Sequence, residues 1–260
     1  MSMLGTDRRK CIRELLLEYT HVDVSSLCSF LHVSPATVRR DLDALEREGF
    51  LLKTYGGAVL NESAVEGAHL KSVTDPYEQE RKNIAAFAVK LVEDGDVIFL
   101  GGGMVCAHMA KLLRLRLRLS VVTCSLGVAL ELSGAAGVST ILIGGNVSGS
   151  GHAAETDGEL AAESLLRMNF SRSFLYFDGV SIKNGYTVGA AYKCGLLDTV
   201  MQHSDTVYAL MDSGNLERTS LRSVASLDAI SQVVAPMSMP DNYKAFFLNH
   251  GVRLYDVTMD

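Results

Sequence analysis

The chain has 260 residues, 48% hydrophobic and 21% charged, a balance that fits a folded globular protein and excludes a disordered one. Its formal net charge is −6, yet residues 1–60 hold eight basic and eight acidic side chains, so the excess acid lies beyond residue 60 and composition alone shows no basic patch. No apolar run approaches the ~20 residues of a membrane span, and charges interrupt the apolar periodicity of the N-terminal stretch, unlike a signal peptide, so a cytoplasmic location without membrane contact is expected.

The first predicted element is a helix in "DRRKCIRELLLEY", with Ile12, Leu15, Leu16 and Tyr19 on one face and Arg8, Arg9 and Arg13 left for water or phosphate. A shorter helix follows in "VSSLCSFLHV", capped by Ser25 or Ser26, with Leu27, Phe30 and Leu31 as its buried side. In "HVSPATVRRDLDALEREG", Ser34 and Pro35 form an N-cap and N1 pair, because proline lacks only an N–H that would be unpaired there. Val38, Leu42 and Leu45 point inward and Gly49 ends the helix. "FLLKTYGGAV" then reads as two short strands of a wing.

Residues 59–75 have few large apolar side chains and are expected to be a linker between a domain at 3–58 and one at 76–260. After Pro76 comes a helix in "YEQERKNIAAFAVKLVEDG", then short apolar strands ("DVIFL", "LSVVTCS", "STILIGG", "RSFLYFDGV", "DTVYALMD", "ISQVVAP") alternating with helical segments. That alternation predicts an α/β domain with a mostly parallel sheet covered on both faces. "LLRLRLRL" at 112–119 is read as a helix end entering a half-exposed strand, and "SGSG" at 148–151 as a flexible loop. The five cysteines contain no C-x-x-C pair and read as small buried hydrophobes, and the seven histidines are scattered, so no metal is expected.

Turning Val38, Leu42 and Leu45 inward brings Ala36, Arg40, Asp43 and Arg47 to the outer face of the third helix, with Thr37 and Arg39 on its flanks. A small, polar, cationic helix tip suits a DNA major groove, where arginine can pair bidentately with guanine. Ser34, Ala36, Thr37, Arg39 and Arg40 are the candidate DNA contacts, with Lys53 and Tyr55 of the wing placed for the adjacent backbone. Arg39 has Asp41, Asp43, Glu46 and Glu48 nearby, so part of its role is expected to be pairing with them.

"VSPATVRRDLDALEREGFLLKTYGGAV" resembles the signature of the DeoR-type bacterial transcriptional regulators. The resemblance implies a winged helix-turn-helix and assigns Thr37, Arg39, Arg40 and Asp41 to the recognition element. It continues through "VVTCSL", "ILIGG", "FDGVSIKNGYTV" and "MDSGN", in the order of the family's effector domain, which is similar in fold to ribose-5-phosphate isomerase and usually senses a phosphorylated sugar or related metabolite.

In that second domain "DVIFLGGGMVCAHMAKLL" runs strand, glycines, helix, the arrangement of a phosphate cradle. Cys106 breaks the dinucleotide pattern and no acid ends "LSVVTCS", so no nicotinamide cofactor is expected. The candidate effector residues are Gly102, Gly103, Met104, Gly144, Gly145, Lys193, Asp212 and Asn215. Against the family pattern, Gly101, Met104 and Val105 replace an acid and two hydroxyls, Cys124 an asparagine and Asn215 a lysine, which points to an altered ligand or one held mainly through backbone. The expected function is a sequence-specific repressor of carbohydrate-metabolism genes, released from its double-stranded operator by a sugar-phosphate-like effector. It is expected to act as a homodimer or homotetramer without enzymatic activity. The alternative is a sugar-phosphate isomerase in which Asp212 or Lys193 moves a proton.

Overall fold

The computed structural model describes residues 5–19, 21–31, 33–54, 56–61 and 76–258. The chain forms two compact units, Met1–Asp75 and Pro76–Asp260.

The described part of the first unit contains helices α1 (Gly5–Tyr19), α2 (Val24–Leu31) and α3 (Pro35–Arg47), and strands β1 (His21–Asp23), β2 (Leu51–Thr54) and β3 (Gly57–Leu60). Ile12, Leu16, Leu27, Val38, Leu42, Leu45 and Leu51 close a core around the inward face of α3. Burying each such side chain contributes about 1.5–3 kcal/mol. Three expectations change here. Residues 21–23 pair with β3, so the wing is a three-stranded sheet in the order β1-β3-β2, and β3 extends to Leu60, into the stretch expected as linker. Asp23 immediately precedes α2, so Ser25 and Ser26 lie inside that helix and do not cap it. Phe30 is 60% exposed, because at eight residues α2 buries Leu27 and Leu31 and turns Phe30 to its far side.

The second unit is built on a seven-stranded sheet, all of whose described pairs are parallel, in the order β15-β14-β12-β9-β4-β5-β6. Its strands are β4 (Val97–Leu100), β5 (Leu119–Thr123), β6 (Val138–Leu142), β9 (Phe170–Tyr176), β12 (Ser204–Leu210), β14 (Gln232–Pro236) and β15 (Arg253–Val257). Alternate residues serve opposite faces: Ile98, Val121, Phe174, Leu210 and Val234 enter one core, and Phe99, Val122, Leu175, Ala209 and Val233 the other. Helices α4 (Glu78–Val89), α5 (Met104–Leu113) and α6 (Leu126–Leu132) contribute to the first core; α7 (Glu159–Leu165), α8 (Ala191–Gln202) and α9 (Asp241–Asn249) contribute to the second. A hairpin, β7 (Asn146–Ser148) with β8 (Glu155–Asp157), and a small antiparallel sheet of β10 (Gly179–Ser181), β11 (Gly185–Val188) and β13 (Arg222–Ala225) complete it.

The leucine–arginine alternation does not form a strand. Helix α5 stops at Leu113, and residues 114–118 turn with Leu115 and Leu117 largely exposed and Arg118 at φ 59°. Arg116 donates to the Val89 carbonyl at 2.8 Å and Arg114 to those of Glu131 and Ser133, so backbone capping sets the spacing of these arginines. Of the cysteines, Cys106 and Cys124 are buried, whereas Cys11, Cys28 and Cys194 are half-buried.

β4 is the switch point of the large sheet. From it the chain moves outward through β5 and β6, then returns to β4's other side to add β9, β12, β14 and β15. Such a reversal leaves a crevice outside the carboxyl ends of the strands, where open α/β sheets bind ligands.

Candidate functional sites

Helix α3 starts as its sequence requires. Ser34 caps it, its Oγ accepting from Thr37 N at 3.3 Å and lying 3.0 Å from Thr37 Oγ1, and Pro35 occupies the first turn. Val38, Leu42 and Leu45 are buried, Ser34, Ala36, Arg39 and Arg40 are exposed, and Gly49 follows the helix at φ 76°. The cap fixes where the helix begins, and the buried triplet fixes which side faces out.

The acids around this helix explain its neutral charge. Asp41 is buried and accepts from Arg8 Nε at 2.8 Å, with Arg9 at 3.8 Å. Glu48 pairs with Arg13, whose guanidinium also lies 4.9 Å from the centroid of the Phe50 ring. Asp43 and Glu46 share Lys53, at 2.5 and 3.5 Å, and the Lys53 N–H donates to Glu46 at 3.1 Å. Through this pair Lys53 holds Asp43 below the usual carboxylate range and is itself held above the usual lysine value. Every acid of the region thus has a cation from another element, while neither Arg39 nor Arg40 has an ion-pair partner among the described residues.

These pairs correct several expectations. Arg8, Arg9 and Arg13 are taken up by α3 and its cap instead of standing free for phosphate. Asp41, which the resemblance groups with the recognition element, faces the interior. Arg39 does not pair with its acidic neighbours, which have other partners, and Lys53 ties the wing to α3. Tyr55 lies outside the described residues.

In the second unit the glycine loop leaves β4 at the switch point. Gly101 N–H donates to the Phe174 carbonyl at 3.0 Å, and Gly103, at φ 92°, sits at the N-cap of α5. Around it, a small cavity is lined by Phe99, Gly101, Gly102, Cys124, Tyr176 and Lys193, with Glu155, Thr156, Leu196 and Leu197. Lys193 Nζ pairs with Glu155 Oε2 at 2.8 Å across it. The space left is about 40 Å³, room for a few waters. Burial raises the Cys124 thiol to about 11, so it stays protonated at neutral pH and packs as an apolar wall.

The eight candidate effector residues do not all meet in this cavity. Gly102 and Lys193 line it; Gly103 and the half-exposed Met104 continue the same loop into α5. Asp212 is fully buried, accepting from Arg81, from Tyr176 Oη at 3.0 Å and from the backbone N–H groups of Gly214 and Asn215 at 2.6 and 3.0 Å. Asn215 closes the same turn: its side chain accepts from Asp212 N–H at 3.0 Å and donates to the Phe177 carbonyl at 3.1 Å. Gly144 and Gly145 follow β6, and Gly145 is needed there because a Cβ would overlap the Asp157 carbonyl.

Sequence families match both units. The helix-turn-helix domain described as DeoR-like matches residues 8–64, and the DeoR C-terminal sensor domain matches residues 77–236. The chain belongs to the DeoR family. Over 244 residues, 94% of this chain and 93% of the relative, it is 30% identical to the uncharacterized HTH-type transcriptional regulator YulB of Bacillus subtilis. Over 233 residues, 88% and 90% of the two chains, it is 30% identical to the lactose phosphotransferase system repressor of Staphylococcus epidermidis. Among solved structures, ribose 5-phosphate isomerase A of Methanocaldococcus jannaschii superposes with a TM-score of 0.40 at 18% identity, covering 54% of this chain and 55% of that one. The DeoR assignment makes this chain a transcriptional regulator with an N-terminal DNA-binding domain and a C-terminal sensor domain.

The sequence gives three neighbours of the candidate residues less plainly: Glu155 and Tyr176, which line the cavity, and Arg81, which bonds Asp212. Glu155 did leave a signal, since residues 132–154 contain no Asp, Glu, Lys or Arg and it is the first charge after them. Tyr176 and Arg81 left none, because the sheet and α4 bring them to Asp212 from far along the chain.

Proposed function

We propose that this DeoR-family regulator is a sequence-specific repressor of carbohydrate-metabolism genes. Arg40 reads a base edge, while Ser34, Ala36, Thr37 and Arg39 set the helix tip in the groove and Lys53 lies near the adjacent phosphates. The observation that carries this reading is the pairing of Asp41, Asp43, Glu46 and Glu48 with other elements, which leaves Arg39 and Arg40 exposed on a capped helix whose inner face is fixed. One such module buries too little surface for tight binding, so a homodimer or homotetramer on repeated half-sites belongs to the proposal. The repressor named for the lactose phosphotransferase system supports the carbohydrate assignment. The effector, a sugar or related metabolite, would enter at the switch-point cavity and release DNA by preferring the DNA-incompetent state.

A non-enzymatic role is supported by the engagement of the two groups an isomerase would use: Lys193 is held by Glu155, and Asp212 by Arg81 and Tyr176. The test is selection of genomic fragments by the full chain, followed by metabolite-dependent release. Recovery of a repeated motif beside sugar-utilisation genes is expected, and recovery of unrelated fragments with uniform affinity would overturn the reading.

A further inference from the structure

The glycine loop after β4 opens a helix at the switch point, where a phosphate cradle is expected, yet a carboxylate of the chain itself lies against it. Glu155 reaches over from β8 so that a Cβ on residue 102 would overlap its Oε1, while its Oε2 takes Lys193. Both side chains are shielded, at 14% and 26% exposure. The backbone beside Glu155 is stitched to the segments that follow β5 and β6: Thr156 N–H donates to the Cys124 carbonyl at 2.8 Å, Leu126 N–H to that of Ala154 at 3.0 Å, and Thr156 Oγ1 to that of Ile143 at 2.6 Å. Among the described residues Lys193 is the one cationic side chain lining the cavity, and its positive charge is matched by a resident carboxylate.

A phosphate ester entering this loop would have to take Lys193 from Glu155 and then share a shielded space with the displaced carboxylate, a like-charge contact that low local dielectric makes worse. A neutral polyhydroxyl ligand that reaches only a hydroxymethyl end into this small space meets no such conflict. Its hydroxyls donate to Glu155 and accept from Lys193 with the pair intact, while Phe99, Cys124 and Leu196 provide apolar walls. We propose that Glu155 is a specificity-determining residue of the sensor site, excluding phosphate from the glycine cradle and selecting an uncharged sugar or polyol. This rests on the reading of the second unit as a sensor and narrows its ligand class.

The experiment is calorimetric titration of the full chain with inorganic phosphate, without DNA. The wild type is expected to show no saturable binding at millimolar phosphate. Glu155→Gln, which keeps the shape and removes the charge, should bind at least about tenfold more tightly, and adding Lys193→Met should abolish the gain. If Glu155→Gln does not fold, as judged by its melting transition, Glu155→Ala replaces it and the wild-type titration still decides. Saturable wild-type binding at micromolar phosphate, or a folded Glu155 variant without any gain, would overturn the proposal. Because no operator is needed, failure here leaves the DNA reading standing, and failure to find an operator leaves the phosphate result standing.

Discussion

In the DNA-binding unit, the charges that hold the fold and the charges that face outward are different residues. Arg8, Arg9, Arg13 and Lys53 neutralise the acids of α3 and its cap, and Arg39 and Arg40 remain exposed. In the sensor unit one cation, Lys193, both pairs internally and lines the candidate cavity. The difference teaches that an overall charge says little about a site. A neutral segment presents arginines because its acids are engaged elsewhere, whereas an apparent anion cradle is filled by an acid of its own.

The largest break in this comparison should come from Asp41→Ala. Removing one partner of a buried pair leaves Arg8 without its counter-charge and should cost about 3 kcal/mol, read as an earlier urea transition of the first unit, with DNA binding lost alongside. Arg40→Ala separates the two roles. It should weaken specific DNA binding by about 1–3 kcal/mol and relax one base position while the urea transition stays put, and unchanged operator affinity would remove Arg40 from the groove. Lys53→Ala should act more weakly, and on all DNA sequences alike. It withdraws a cation near the backbone and bares Asp43 and Glu46, so the dependence of affinity on salt should flatten by about one ion.

The smallest effect concerns the sensor unit's core. His108 of α5 is buried with Nε2 unpartnered among the described residues, and burial first, then Lys111 and Lys82, hold its pKa below the ordinary value, with Glu78 opposing. The folded state therefore favours neutral imidazole. The stability this gives is complete above about pH 6.5 and is lost as the pH falls, because the unfolded chain takes up the proton first. Melting curves at about pH 7.5 and 5.5 should show a smaller acid destabilisation in His108→Gln than in the wild type.

Much of the fold is legible in the residues themselves. The Ser34–Pro35 start, the four-then-three spacing of Val38, Leu42 and Leu45, and the Gly49 stop each act within a few residues, and the apolar runs of β4, β5 and β9 announce strands buried on both faces. What is not legible depends on distance along the chain. The Arg8–Asp41 pair spans 33 residues and the Arg81–Asp212 pair 131, and no local pattern says which acid will meet which base. β1 was hidden because three residues are too few for a period, and Phe30 was misplaced because a two-turn helix has too few positions to show which side is covered. The effector residues were only partly grouped for the same reason: Asp212 and Asn215 sit at a strand end near the crevice, but their polar atoms close a turn.

The overlap between residue 102 and Glu155 also bears on how this chain can vary. A methyl group at 102 and the present rotamer of the glutamate claim the same volume, so each is permitted only in the other's absence. Because the obstructing atom is the free end of a flexible side chain, Gly102→Ala should be accommodated by swinging the carboxylate aside at little cost to folding. The two positions are coupled through one shared volume. Regulators that shorten residue 155 are free to place a side chain at 102, and a lineage changing its ligand can do so in two single steps, each of which folds.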